Sequence, residues 1–392
     1  MTRVGYVFTT FFAITVTIAL LSLIPLPIPF ITDFIMLYVS TVGLKQEIGL
    51  YDYTAQYALA WQLFGSEMEN ITFPYYVYPP WLGYSFFFLG WLTPDHAARV
   101  WFWINLTMLA TSMMFITISW PLKWRLIAFL LMIFSPAIIS FLIVGQFVAP
   151  VLLGIAIAIY AASRQSASLF AIGMLLMTFK PHVGLLPFVT AGTWLLLQRT
   201  PWQRRALGGV VIGIVALLVS ASLMYPQWLR DYLAMIEAFR SLPTFGVCEI
   251  CSAGSVMLVR IALGYPSTSV ALFVGMIFVI VTGLWLLWKT RWSPSFHLTA
   301  YWSMLTAILA IPYFNNYDHI FSLLPFLWLL KTSKQSRDYV ALGIAFLLPW
   351  IGVILQNRLF FAVGLVGQTV VLFVLFVYRL RTKSQTEMLA VL

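Results

Sequence analysis

The stretch YVFTTFFAITVTIALLSLIPLPIPF, residues 6–30, decides the class of this protein, because it runs for 25 residues without a charge. A helix needs about 20 apolar residues to cross the roughly 30 Å hydrocarbon core of a bilayer. The apolar part of a cleaved signal is about 7–15 residues long and ends at small residues. This stretch is longer and ends in Leu26-Pro-Ile-Pro-Phe30, so it reads as an uncleaved spanning helix.

The rest of the chain agrees. Of 392 residues, 62% are hydrophobic and 9% charged. A soluble domain carries about 25% charged residues. The chain is therefore predicted to be an all-α polytopic membrane protein. Its 32 Phe, 18 Tyr and 16 Trp suit a lipid-solvated surface with aromatic girdles. Spans are predicted at roughly 6–30, 97–120, 126–144, 147–162, 168–181, 183–198, 207–225, 267–288, 295–313, 319–331, 339–356 and 359–378, about twelve in all within one domain, 1–392.

Orientation follows from Lys and Arg, which collect on the cytoplasmic side. With the N-terminus inside, 15 of the 22 basic residues fall on short inner segments, and both termini are cytoplasmic. Ten of the twelve acids fall outside, which the positive-inside rule does not require. The net charge of +10 thus belongs to membrane topology and gives no reason to invoke nucleic acid. A cell membrane (plasma or inner) is the expected location. Two outer loops are long, 31–95 and 226–266. The first holds apolar-periodic stretches at Asp33–Ile48 and Tyr53–Phe64, then an apolar run, Trp81–Leu92, short enough to be an interfacial or re-entrant helix. The second holds the amphipathic stretch Trp228–Phe239 and the apolar run Gly254–Leu263.

Several polar groups stand where these apolar segments end. Asp33 follows the first span, where water meets low dielectric and a carboxylate can become a competent base. The commoner use of an Asp there is to cap the next helix. Phe73-Pro-Tyr-Tyr-Val-Tyr-Pro-Pro-Trp81, including Tyr78, interleaves prolines with aromatics. It suits a structural corner or a platform for the apolar face of a sugar. Gln146, after Gly145, could hydrogen-bond a ligand or sit in an ordinary turn. Lys180 is closely flanked by long apolar segments, and a cation there either serves a site, such as a lipid phosphate, or snorkels to the interface. Arg260 interrupts an apolar run and poses the same choice. Asn315-Asn-Tyr-Asp-His319 is a polar knot between two spans, and it contributes Asn316, Asp318 and His319. Turn chemistry accounts for part of it. Cys248 and Cys251 have redox or metal spacing, but metal would need two further ligands, and a local disulfide or two free thiols in a cap loop is the reading preferred to a redox centre. No P-loop, GxGxxG or HExxH pattern occurs.

In order and spacing these segments resemble glycosyltransferase family 87, the polyprenol-phosphate-mannose-dependent mannosyltransferases of the GT-C superfamily. The resemblance rests on Asp33-Phe-Ile-Met-Leu-Tyr38 leading to Gly49-Leu-Tyr51, on Tyr76-Val-Tyr-Pro-Pro80, on Gly145-Gln146 with Lys180-Pro181 about 34 residues on, and on the knot ending in His319. It implies a GT-C-like membrane enzyme. A hexose, by family habit mannose, would move from a polyprenyl-phosphate sugar to a hydroxyl of a lipid or glycan acceptor on the extracytoplasmic face. Asp33 would be the general base, His319 would lie near the donor phosphate or the acceptor, and Lys180 would pair with the phosphate. Gln146, Arg260, Tyr78, Asn316 and Asp318 would complete the binding site. The chain departs from the family in two places. It has one histidine where many relatives have a His-His or Ser-Trp pattern, and Asp33 stands without the paired acid of some GT-C enzymes, which weakens any case for a metal. No cofactor is expected beyond the lipid-linked donor. A single displacement would invert the anomeric centre. A polytopic transporter or lipid flippase is the alternative, although transporters usually place polar groups near the midplane of broken helices and often show inverted repeats. A non-enzymatic membrane scaffold would explain the spans but not the knot.

Overall fold

The computed structural model describes residues 33–71, 73–198, 200–241, 253–264, 267–290, 292, 294–312 and 314–382. The predicted span at 6–30 and the cysteines Cys248 and Cys251 lie outside the described residues. Every regular element among the described residues is a helix.

The chain enters at Asp33 and forms α1 (Phe34–Lys45) and α2 (Tyr53–Phe64), as the periodicity of the first outer loop predicts. The run expected as one short helix, Trp81–Leu92, is instead broken into α3 (Pro80–Ser85) and a 3-10 turn (Phe87–Trp91). The chain leaves helical geometry at Phe86 so that the second piece can cross α1. There a side chain on Gly90 would collide with the Thr41 carbonyl, and Tyr38 donates its hydroxyl to the Leu92 carbonyl at 2.8 Å.

Helix α4 (Pro94–Thr117) is the first long helix among the described residues. The predicted span 126–144 becomes α5 (Leu122–Ile133) and α6 (Pro136–Val144), bent by 55°. Pro136 has no N–H to continue the ladder, so it opens a new helix rather than extending the old one. There follow α7 (Ala149–Arg164), α8 (Ala167–Met177), α9 (Pro181–Gln198) and α10 (Pro201–Met224). The second long loop carries α11 (Trp228–Ser241) and α12 (Ser255–Leu263). The last part is α13 (Thr268–Lys289), α14 (Phe296–Ala310), a 3-10 turn (Asn316–Ser322), α15 (Leu323–Thr332), α16 (Ser336–Ile354) and α17 (Arg358–Thr382).

Five of these helices, α4, α10, α13, α16 and α17, are long and apolar enough to cross a membrane. The bent pair α5–α6 would make six. Among the described residues, length and composition thus support five or six of the twelve or so predicted spans. Helices α7, α8 and α14 are apolar but have only 16, 11 and 15 residues. Two large apolar cores result among the described residues, beside a small cluster of Val256, Val259 and Ala271. One fills the helical bundle, and the other joins the loop 33–93 to Trp101, Phe147, Trp228 and Met235. Basic residues gather at one end of the bundle. There Lys331 lies 5.4 Å from the Trp124 ring centre, Arg379 pairs with Asp338, and Arg337 donates to the Tyr378 hydroxyl. Asp33, Gln146, Lys180 and Asp318 lie at the other end, along the seam between the two cores.

Candidate functional site

Asp33 occupies the N-cap position of α1, yet its side chain makes no capping hydrogen bond. Its carboxylate instead accepts a hydrogen bond from the Gln146 amide, across 113 positions of sequence. Capping was the plainer use of this residue, and it is not the use the fold makes of it.

Gln146 reaches Asp33 because of the glycine before it. Gly145 closes α6 in the left-handed conformation, with φ 68°, and a Cβ there would sit 2.9 Å from Phe34 Cβ. Glycine takes that backbone shape without steric cost. Trp101 fixes the corner by donating its indole N–H to the Gly145 carbonyl at 2.7 Å, and its ring stacks on Phe34. The residue next to Asp33 and the residue before Gln146 are thus packed together.

Lys180 closes the other side. Its ammonium donates to Gln146 Oε1 at 2.9 Å and to Asp318 Oδ1 at 2.6 Å. It is 1% exposed and therefore does not snorkel. The turn that carries it is tight: a Cβ on Gly184 would overlap the Met177 carbonyl, so glycine lets α9 fold back against α8 directly below Lys180. Asp318 is fully buried, and its second oxygen accepts the Asn315 backbone N–H at 3.1 Å. One carboxylate therefore serves both turn chemistry and an ion pair. The Tyr317 ring lies 4.8 Å from the Lys180 nitrogen, and its hydroxyl accepts from the Asn315 amide at 2.7 Å.

The result is a continuous polar chain, Asp33–Gln146–Lys180–Asp318, drawn from four places in the sequence. Gln146, Lys180 and Asp318 are buried, and Asp33 is half-buried at one end. Burial pushes the Asp33 carboxyl above the usual carboxylate range, against the hydrogen bond from Gln146 and the charge of Lys180. Burial also raises Asp318, with Lys180 opposing. A half-accessible carboxylate of raised basicity, held by one N–H donor, is equipped to take a proton. The buried Lys180–Asp318 pair is equipped to hold the geometry.

The other predicted residues divide. Tyr78 is buried against Phe147, with ring centres 5.0 Å apart, and it faces both carboxylates. The Tyr-Pro-Pro corner is also structural: Tyr51 donates to the Tyr78 carbonyl at 3.0 Å, and Tyr76 donates to the Pro79 carbonyl at 3.2 Å. Asn316 adjoins the chain, and its buried side-chain oxygen has no partner among the described residues. His319 is placed differently from its expected role. Its Nε2 donates to the Ala253 carbonyl at 2.7 Å and its Nδ1 meets the Thr369 hydroxyl at 3.2 Å, so both nitrogens face protein partners and it is not among the groups acting on Asp33. Arg260 stands half-buried on the last turn of α12 and is not among the charged groups acting on Asp33 or Asp318. Trp101 and Tyr317 also belong to the site, although neither stands out in the sequence. Trp101 looks like any interfacial aromatic, and Tyr317 is masked by its more polar neighbours in the knot.

The family model of glycosyltransferase family 87 matches residues 76–312, more than half of the chain. The match takes in Tyr78, Gln146, Lys180 and Arg260, and it leaves Asp33 and the knot outside its bounds. The structure joins residues within the match to carboxylates beyond it. No curated protein matches the chain.

Proposed function

The chain belongs to glycosyltransferase family 87, and from that premise we propose that it transfers a hexose, by family habit mannose, from a polyprenyl-phosphate donor to a hydroxyl of a lipid or glycan acceptor, with Asp33 as the general base. The observation that carries this reading is the Asp33 side chain. It forgoes its capping bond and stands half-buried at the end of a buried polar chain, held by Gln146.

The chemistry needs little else. Asp33 takes the proton of the acceptor hydroxyl as that oxygen attacks the anomeric carbon. The bond from the anomeric carbon to the phosphate oxygen breaks, and the polyprenyl phosphate leaves with the electron pair. A single displacement inverts the centre. The donor brings its own leaving group, so the proposal invokes neither a nucleotide nor a metal. Tyr78 and Asn316 are suited to line the sugar site, the first by a phenol near enough to feel both carboxylates and the second by an oxygen without a partner among the described residues.

The reaction is assigned to the extracytoplasmic face of a cell membrane, in a GT-C-like fold. The gathering of basic residues at the end opposite Asp33 supports that orientation through the positive-inside rule, with both termini cytoplasmic.

Purified protein incubated with radiolabelled polyprenyl-phosphate mannose and membrane lipids should yield a labelled lipid or glycan. Asp33→Ala should abolish transfer while leaving membrane yield and detergent elution unchanged. Since burial raises the carboxyl of Asp33, its protonated, inactive form persists to higher pH than for an exposed aspartate. The rate should therefore rise with pH through a limb above the usual carboxylate range. Undiminished transfer by Asp33→Ala would remove Asp33 from the mechanism. Uptake of a solute into proteoliposomes without sugar transfer would support the transporter reading instead.

A further inference from the structure

The orientation of the Gln146 amide is not free. An ammonium has three N–H donors and no lone pair, so the atom of Gln146 that faces Lys180 at 2.9 Å must be its carbonyl oxygen. That leaves only the NH2 group for Asp33. Lys180 is itself held at 2.6 Å by Asp318, and Asp318 by the Asn315 N–H at 3.1 Å. The backbone of Gln146 is set by the left-handed Gly145 and by the Trp101 indole. Each member is oriented by the next, and Gln146, Lys180 and Asp318 are at most 1% exposed.

We propose that Gln146 is a positioning residue for proton transfer at Asp33, oriented by the Lys180–Asp318 pair, and that Lys180 acts through this chain rather than by gripping the phosphate of the donor. The proposal rests on the reading of Asp33 as the base. The Gln146 N–H donates to Asp33 Oδ2 and, with the Tyr317 hydroxyl as a second hydrogen-bonding partner of the carboxylate, fixes the plane in which Oδ1 meets the acceptor. The acceptor O–H bond breaks, its proton passes to Oδ1, and its electron pair forms the new glycosidic bond. The bond to phosphate breaks with its pair left on the phosphate oxygen.

Besides Gln146, the groups that face Asp33 are Lys180, Asp318, Tyr317 and Tyr78. Losing the Gln146 donor removes a bond that favours the charged carboxylate, so the acidic limb of the rate should move to higher pH.

Gln146→Met keeps the length of the side chain without its donor. It should lower kcat about 10- to 100-fold, the worth of one hydrogen bond to a charged group, while the KM for polyprenyl-phosphate mannose stays within about twofold. Its acidic limb should move up relative to wild type. Gln146→Glu, nearly isosteric, sets a second carboxylate against Asp33 and should move the limb the same way. It carries the measurement if Gln146→Met fails to accumulate in membranes. A raised donor KM with unchanged kcat would make Gln146 a substrate contact and overturn the proposal. A fall in kcat with an unmoved limb would reduce it to a structural role and overturn it equally. Asp33→Asn in the same assay separates the two levels. Normal turnover in that variant defeats the base assignment itself. A dead Asp33→Asn beside a Gln146→Met variant with the wild-type limb defeats only the positioning role.

Discussion

At the scale of residues, four of the expected side chains form one hydrogen-bonded chain, whereas His319 and Arg260 are not among the groups acting on Asp33. Asp33, Gln146, Lys180 and Asp318 each stand out in the sequence, because each is polar at the end of an apolar segment. Their pairing is not legible there. Hydropathy locates a buried lysine without naming its partner, and Asp318 reads as turn chemistry beside Asn315. His319 shows the limit most plainly, since its partners Ala253 and Thr369 carry no signal that would draw attention to them. The Lys180–Asp318 pair has a consequence for stability. Removing one partner of a buried ion pair leaves an uncompensated charge and costs about 3–5 kcal/mol, whereas replacing both with apolar groups of similar volume is often neutral. Lys180→Met should therefore lower the thermal midpoint in detergent strongly, and Lys180→Met with Asp318→Leu should recover most of the loss. The double variant should keep its affinity for the lipid-linked donor, because neither group is assigned to bind phosphate. A double variant no more stable than Lys180→Met alone would mean that the pair is not the energetic unit drawn here.

At the scale of elements, each predicted stretch within the described residues contains a helix, because apolar runs with Pro at the first turn and polar residues between them leave the backbone few alternatives. The breaks were harder to read. The bend before Pro136 and the parting of α3 from the turn at Phe87 depend on packing against other helices. The corner at Gly145 depends on Phe34, 111 positions away. That corner is an element-scale device, since it ends α6 and aims Gln146 in one step. A non-glycine residue held in the left-handed region costs about 1–3 kcal/mol, and here an added methyl would also press on Phe34 Cβ at 2.9 Å. Gly145→Ala should thus lower stability by about 1–3 kcal/mol and should also slow transfer, because relief of the clash displaces either Asp33 or Gln146. Circular dichroism melts and the transfer assay check the two effects separately. Unchanged turnover in a destabilised Gly145→Ala would mean that the corner stiffens the fold without aiming the site.

At the scale of the molecule, helix length carries information that hydropathy lacks. Helices α4, α10, α13, α16 and α17 have 24, 24, 22, 19 and 25 residues. Three apolar helices beside the site are shorter: α7 has 16 residues, α8 has 11 and α14 has 15, while α9, which follows Lys180, has 18. At about 1.5 Å per residue these three span roughly 16–24 Å, less than the hydrocarbon core of about 30 Å. Tilting shortens their reach further. With the basic end at one interface, helices of this length predict that the Asp33–Asp318 chain lies several ångströms inside the opposite one, at the depth of the upper acyl chains. That position suits a donor whose sugar phosphate is tethered to a polyprenyl chain, since the reacting phosphate need not leave the membrane to reach Asp33. A nitroxide attached to Asn316→Cys, with Cys248 and Cys251 replaced by serine, reads this depth directly. In bilayers its relaxation should be enhanced more by oxygen, which concentrates among acyl chains, than by a water-soluble nickel chelate, and a label at Glu67→Cys on the exposed tip beyond α2 should show the reverse. Equal access of the nickel chelate to both positions would put the site at the membrane surface, and the short helices would then need another explanation.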